Sequence, residues 1–457
     1  MKKGDIVNGT VKSLSFPNKG RVDLGDRVAS VKGVIPGQEV KVRIKRSNKE
    51  RCQATLLEVC EPSPLEDADP FCLHFGSCGG CSYQTLSYDN QIKLKYDMIY
   101  DLLSPYIIKH NTEVEGILKS PDIYGYRNKM EYTFGDEFKG GPLVLGMHKK
   151  HSTYDVVYTN ECKIVNDDFN RIVKANVDYF TSENIPFYHK ITHEGVLRFL
   201  VVRRSATTGE ILINLVITSQ SPGIDEDEYV KMLNELSLEG EIAGIIITVD
   251  DAYADAVVPD ETRLIYGRDY IEEEVLGLKF NISPFSFFQT NTRAAEVLYS
   301  KVREYVGDTR DKVIFDLYSG TGTIGQILAP VAKKVIGIEI VEEAVAKANA
   351  NAKLNGIDNC TFIAGDVFKM LDTVSDKPDI IVLDPPRDGL SKGAIEKILS
   401  YDIPEIVYVS CKPTSLLRDL EFFEEGGYIL SKLCMNEQYP HTYHVECCCL
   451  MSRVEGK

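Results

Sequence analysis

The chain has 457 residues, 43% hydrophobic and 26% charged, with a formal net charge of −16, a globular composition too long for one ordinary core. No apolar run approaches the ~18 residues that cross a membrane, and the opening MKKGDIVNGT has no apolar stretch behind its lysines, so a cytoplasmic protein with no membrane partner is expected. There the 12 cysteines would stay reduced, which excludes a disulfide framework and directs them toward metal binding or catalysis.

Residues 1–60 alternate short β-like runs (GDIVNGTVKSLS, GRVDLG, RVASVKGVIPGQEVKVRIKR, CQATLLEVCEPS) with Gly-rich turns. Five such strands fit a small OB-like barrel, an architecture that often holds single-stranded nucleic acid. Charge agrees: residues 1–59 carry eight Lys and five Arg against six Asp or Glu, so +7 of the −16 total leaves −23 for the rest. A basic first segment on an acidic bulk suggests a module that meets a polyanion.

The Pro- and Asp-rich EPSPLEDADP (61–70) reads as a linker. Residues 71–280 form the expected central domain: a cysteine cluster, a helical stretch SYDNQIKLKYDMIYDLLSPY, and from Tyr126 the strand-like runs RNKMEYTFG, LVLGMHKK, LRFLVVRRS, EILINLVITS and EIAGIIITVD. Over 281–457 a helix, FQTNTRAAEVLYSKVREYV, precedes strands ending in DLYSGTG, VIGIEI, FIAGD, IIVLDPPR and IVYVSCKP, each separated by helical sequence. That alternation predicts a doubly wound, Rossmann-like parallel sheet, giving a multidomain α/β protein overall.

Chemistry concentrates where those strands end. In 316-DLYSGTGTIG-325, Gly320 and Gly322 permit a tight turn and close approach of a ligand before a helix begins. Glu339, ending the next strand, stands where a carboxylate accepts ribose hydroxyls, and Asp366 places a second carboxylate over the same crevice. The loop fits a dinucleotide oxidoreductase as well as an S-adenosylmethionine methyltransferase. The stretch 384-DPPRDGL-390 favours the methyltransferase, because Asp384, stiffened by two prolines at a strand end, can hold a planar ring beside a methyl donor.

Cys411 is expected at the carboxyl end of the strand beside Asp384. Pyrimidine C5 is too weak a nucleophile to take a methyl group unaided, and thiolate addition at C6 makes C5 enolate-like. That requires a polar, partly open setting in which the thiolate is available. A base must then remove the C5 proton; Glu446 in 441-HTYHVECC-448 is the candidate, with His444 second. Finally, 72-CLHFGSCGGC-81 spaces three cysteines C-x5-C-x2-C, and Cys162 is available as a fourth ligand for zinc or an iron–sulfur cluster. Cys52, Cys60, Cys360, Cys434 and Cys447 to Cys449 read as apolar filling.

With these residues the chain resembles the RNA (uracil-5-)-methyltransferases, in particular the 23S ribosomal-RNA branch with an N-terminal TRAM domain and a [4Fe-4S] cluster. The resemblance implies that Cys72, Cys78, Cys81 and Cys162 hold the cluster. It implies a nucleophile at Cys411 in Ser410-Cys411-Lys412-Pro413 and a base at Glu446 in His444-Val445-Glu446. S-adenosyl-L-methionine would be held by Gln289, Tyr318, Gly320, Glu339, Asp366 and Asp384. Phe287 and Phe288 would stack on a flipped-out uracil, and Arg127 and Lys129 would contact RNA phosphates.

The family's donor loop often reads F-C-G-x-G-N, whereas this chain has Tyr318-Ser319-Gly320-Thr321-Gly322-Thr323. The implied activity is methylation of C5 of a uridine in 23S ribosomal RNA by a monomer. The alternatives are the same chemistry on tRNA, whose enzymes as a class look shorter and lack the barrel and cysteine cluster, and a non-catalytic iron–sulfur RNA-binding protein. A cytosine-C5 enzyme usually shows a cysteine directly after a proline in this loop, where Arg387 stands.

Overall fold

The computed structural model describes residues 1–49, 51–221 and 223–454; residue 50 of the expected barrel, residue 222 of the expected central domain and residues 455–457 of the C-terminal one lie outside it. Strands β1 (Ile6–Ser15), β2 (Lys19–Asp23), β3 (Val28–Lys32), β4 (Glu39–Ser47) and β5 (Cys52–Glu61) close into a barrel in the order β1-β2-β3-β5-β4. Alternation builds it: Val40, Val42 and Ile44 of β4 fill the interior with Val22, Ala29 and Val31. The intervening Lys41, Arg43 and Lys45 are thereby left on the outside.

Helix α1 (Tyr88–His110), capped by the Ser87 hydroxyl, leads into β6 (Glu113–Leu118). The central unit contains β7 (Lys129–Gly135), β8 (Val144–His148), β9 (Val156–Tyr158), α2 (Asp167–Ser182), β10 (Leu197–Arg204), β11 (Glu210–Ile217), α3 (Glu226–Asn234), β12 (Glu241–Val249) and β13 (Glu261–Gly267). Its seven-stranded sheet runs β13-β12-β11-β10-β7-β8-β9. The strand-like runs read from the sequence form β7, β8, β10, β11 and β12. Helices α2 and α3 were not expected. They bury Phe169, Ile172, Val173, Phe180, Tyr229 and Leu233 against the apolar sheet, which needs a cover on that face.

A hairpin, β14 (Ile271–Val275) and β15 (Leu278–Ile282), precedes the C-terminal unit. That unit runs α4 (Thr292–Val306), β16 (Thr309–Leu317), α5 (Thr323–Leu328), β17 (Ala332–Glu339), α6 (Glu342–Leu354), β18 (Cys360–Ala364), α7 (Val367–Met370), β19 (Ile380–Leu383), α8 (Lys392–Leu399), β20 (Glu405–Ser410), α9 (Pro413–Glu425), β21 (Tyr428–Asn436) and β22 (Glu446–Arg453). Its eight strands run β18-β17-β16-β19-β20-β22-β21-β6, parallel from β18 to β20 and antiparallel where β22 joins β20 and β21. The doubly wound sheet expected from the alternation is present, with apolar layers on both faces.

One assignment differs. Strand β6, expected in the central domain, pairs in parallel with β21 at the edge of the eight-stranded sheet, and α1 packs Ile99, Leu103 and Ile107 over it. Local pattern identifies a strand but not the sheet it joins. Among the described residues no helix is long and apolar enough to cross a membrane.

Candidate active site

A cavity of about 770 Å³ opens at the carboxyl ends of the parallel strands, where ligands of open α/β sheets bind. Phe287, Phe288, Gln289, Tyr318, Gly320, Glu339, Asp366, Asp384, Cys411 and Glu446 all line it. The sequence had scattered these residues over more than a third of the chain; the strand order brings them together.

The donor loop follows β16. Tyr318, Gly320 and Gly322 all have positive φ (66°, 52° and 75°). At Gly322 a Cβ would meet the Phe362 ring at 2.5 Å, so glycine is required by space as well as by conformation. The Glu339 carboxylate accepts from the N–H groups of Gly320 and Val341, both at 3.0 Å, which anchors the loop to β17. Asp316, fully buried below the loop, accepts from the Gly325 N–H at 2.8 Å with one oxygen. Its other oxygen Oδ1 and the Ser319 hydroxyl are buried without a partner among the described residues, and both residues line the cavity. Unpartnered polar atoms at a cavity wall fit a ligand that supplies amino and hydroxyl groups, as S-adenosylmethionine does. Gln289 is buried, and its Oε1 accepts from the Tyr439 hydroxyl at 3.3 Å.

The reactive groups arrive from three adjoining strands. Strands β19 and β20 pair in parallel, so Asp384 and Cys411 leave neighbouring strands at the same end. Burial raises the Asp384 carboxyl to about 7 and the Glu446 carboxyl to about 8, the latter helped by Asp384. The Cys411 thiol is pushed up to about 12 by burial and then by the Glu446 and Asp384 charges, while Arg387 acts the other way. The polar, partly open setting expected to favour a thiolate is thus offset first by burial and then by two carboxyl groups, and Arg387 is the cation that opposes them. His444, also at the cavity, is lowered to about 4 by burial and by Arg387, Lys95 and Arg127.

Arg387 and Tyr439 were not chosen from the sequence as site residues. The first was visible in DPPR, immediately after the two prolines; nothing local marked the second.

The aromatic pair divides. Phe287 is 71% exposed at the cavity mouth, whereas Phe288 is 6% exposed and packs on Phe280 in the core, with ring centroids 5.9 Å apart. Only Phe287 offers a free face. Their loop is held from below by the buried Arg203, which donates to the carbonyls of Pro284 (3.1 Å) and Ser286. Lys129 is half-buried and lowered to about 8 by burial and by Arg203. Arg127 is half-buried too, donating from Nε to the Lys129 carbonyl at 3.0 Å, and its charge reaches Tyr439 and His444.

On the central unit, Cys72, Cys78, Cys81 and Cys162 are all free and partly buried. Cys81 lies within electrostatic range of the other three. Burial pushes Cys81 up to about 12 and Cys162 to about 11. Among the described residues no three His, Cys, Asp or Glu side chains close around a single-ion position. Of the cysteines read as filling, Cys52, Cys360, Cys434 and Cys447 to Cys449 are buried, but Cys60 is exposed on β5.

Comparison with known proteins agrees with the cavity. A family model described as tRNA (uracil-5-)-methyltransferase matches residues 87–454. An RNA methyltransferase of Caldanaerobacter subterraneus subsp. tengcongensis is 48% identical over 446 residues, covering 98% of each chain. One from Clostridium acetobutylicum is 45% identical over 453 residues, 99% of each. The crystal structure of Pyrococcus abyssi tRNA (uracil-54, C5)-methyltransferase in complex with S-adenosyl-L-homocysteine has a TM-score of 0.77 at 27% identity, covering 97% of this chain and 100% of that one. Matched nearly end to end by these relatives, the chain belongs to the tRNA (uracil-5-)-methyltransferase family of S-adenosylmethionine-dependent RNA methyltransferases.

Proposed function

We propose that the protein methylates C5 of a specific uridine in 23S ribosomal RNA, with Cys411 as nucleophile and Glu446 as base. The observation that carries this reading is the meeting of Cys411, Glu446 and Asp384 in one cavity with the donor loop. The Cys411 sulfur adds to C6 of the uracil, and the ring electrons displaced by that bond make C5 nucleophilic. Bound S-adenosylmethionine supplies a methyl group on a sulfonium, which C5 takes as the carbon–sulfur bond breaks. Glu446 then accepts the C5 proton, the C5–C6 double bond re-forms, and the C6–sulfur bond breaks to free Cys411. A carboxyl raised to about 8 accepts a proton more readily than an imidazole lowered to about 4, which favours Glu446 over His444.

Asp384 would hold the uracil edge or the donor at the strand end, and Phe287 would stack on the flipped base. Gln289, Tyr318, Gly320, Glu339 and Asp366 would hold the donor, with the open valences of Asp316 and Ser319 beside them. The barrel's outer basic face and Arg127 would grip phosphates, as in a TRAM domain. Lys129, half-buried, would serve chiefly to set the local charge. Cys72, Cys78, Cys81 and Cys162 fit a [4Fe-4S] cluster: four clustered thiols that need not converge on one ion would enclose a group larger than an ion. We take the protein to act as a monomer in the cytoplasm.

Transfer RNA is the second reading. It is favoured by the Pyrococcus abyssi enzyme, whose tRNA activity goes with a structure that covers 97% of this chain, so greater length does not by itself mark an rRNA enzyme. The test is incubation of the protein and donor with 5-fluorouridine-containing transcripts of 23S ribosomal RNA and of tRNA. A covalent adduct on ribosomal RNA, absent with Cys411→Ala, is the expected result. Adduct on tRNA alone would select the second reading, and methylation by Cys411→Ala at the wild-type rate would sink the mechanism.

A further inference from the structure

The strap between β21 and β22, residues 437–445, delivers His444 and Glu446 to the cavity. At its centre is His441, which no step of the reaction uses. It is 2% exposed and has left-handed backbone, with φ of 66°. Its carbonyl accepts from the N–H of Ser82 (2.7 Å) and of Tyr83 (3.1 Å), the residues that follow Cys81. Its own N–H donates to Gln91 Oε1 at 2.9 Å, and Gln91 Nε2 lies 3.1 Å from His441 Nδ1. With Nδ1 accepting from that amide, the ring's Nε2–H donates to the Ile123 carbonyl at 2.9 Å. The ring packs edge-on against Phe71, the residue before Cys72, with centroids 4.7 Å apart. Every polar atom of His441 is engaged, and its partners include residues on both sides of the cysteine run.

Cys411 and Asp384 follow β20 and β19, interior strands whose chain connections lie outside the strap, although β20 pairs with β22 up to Ser410 and Cys447. Glu446 is the first residue of β22, directly after it. Glu446 pairs with Asn436 as the rung that closes the strap, so a loosened strap disturbs the base first, with Cys411 one strand further away.

We propose that His441 is a positioning residue that clamps the strap leading into the base, Glu446, to Gln91 and to the cysteine loop, so that it governs proton abstraction and release more than thiolate addition. The proposal rests on the uracil-C5 reading above. It separates two steps that a general loss of structure would slow together.

The experiment uses His441→Gly, which removes the ring and keeps the left-handed backbone available, and Gln91→Met, which leaves His441 intact. Each full-length variant is mixed with tritiated S-adenosylmethionine and the unmodified transcript on which the wild type is active. Adduct formation and product release are followed separately on denaturing gels. Release should slow by about 10- to 100-fold, while adduct formation stays within about threefold of wild type, so that methylated covalent enzyme–RNA accumulates. Equal slowing of both steps, or normal release, overturns the proposal. If His441→Gly does not fold, Gln91→Met decides alone on the same criteria. A wild type that gives no adduct with 5-fluorouridine RNA overturns the uracil reading and the clamp with it, a result distinct from failure of the variants alone.

Discussion

Ser410 on β20 pairs with Cys447 on β22 in antiparallel register, the last rung of that ladder, and Cys411 and Glu446 lie just beyond it at the same end of the sheet. Nucleophile and base accordingly both line the one cavity. Asp384 joins them from the other side of β20 through the parallel β19 pairing. Burial raises all three groups, Asp384 adds to the rise of Glu446, and both carboxylates add to that of the Cys411 thiol.

That coupling predicts a pH dependence. Glu446, raised to about 8, accepts a proton only when ionised, so product release should rise with pH and level off above about 8. Glu446→Gln should slow release by roughly 10²- to 10⁴-fold and trap the methylated adduct. Single-turnover release measured from pH 6 to 9 checks both. A flat wild-type profile would remove Glu446 from the role.

Stability should move the opposite way. Asp316 and Asp384 near 7 and Glu446 near 8 stay protonated in the folded chain at pH values where their unfolded forms, near 4, have lost the proton. The folded state then binds more protons, so stability falls as pH rises from about 4 to about 8. Melting of the donor-free protein should drop between pH 5.5 and pH 8, and Asp316→Asn should flatten part of that slope.

Arg387 is the cation that lowers both Cys411 and Glu446. Removing it as Arg387→Gln should shift the pH profile for adduct formation upward and slow addition at pH 7.5, and Arg387→Lys should restore part of the rate. An unchanged profile in Arg387→Gln would show that the guanidinium has no part in thiolate formation.

The strap is also pinned by a buried ion pair. Lys95 Nζ lies 2.7 Å from both carboxylate oxygens of Glu437, with neither side chain exposed. Lys95→Met leaves an unpaired buried carboxylate and should cost about 3–5 kcal/mol in denaturant unfolding. The double variant Lys95→Met with Glu437→Gln should recover most of that loss. Additive losses would mean the pair is not coupled.

The cysteine group makes a separate prediction. Protein purified without air should be brown and absorb near 400 nm, with Cys162→Ser colourless and free of iron. Zinc in colourless wild type would replace the iron–sulfur assignment.

Much of this protein was legible in its residues alone. Alternation of Val40, Val42 and Ile44 with basic residues announced the barrel, and the β–α rhythm from residue 292 onward announced the parallel sheet. The loops at Gly320, Asp384 and Cys411 stood out because parallel sheets place ligand sites at strand ends, a rule that needs only strand boundaries. Local patterns report which residues face a core. They carry no information on which distant strand or helix supplies the other half of a contact. Tertiary structure therefore decided that β6 joins the C-terminal sheet, that Phe288 is core while Phe287 is free, and that Glu446 and Cys411 line one cavity. It alone brought Gln91 and the cysteine loop onto His441, because those hydrogen bonds join segments some 350 residues apart and depend on pairing and packing, not on neighbouring sequence.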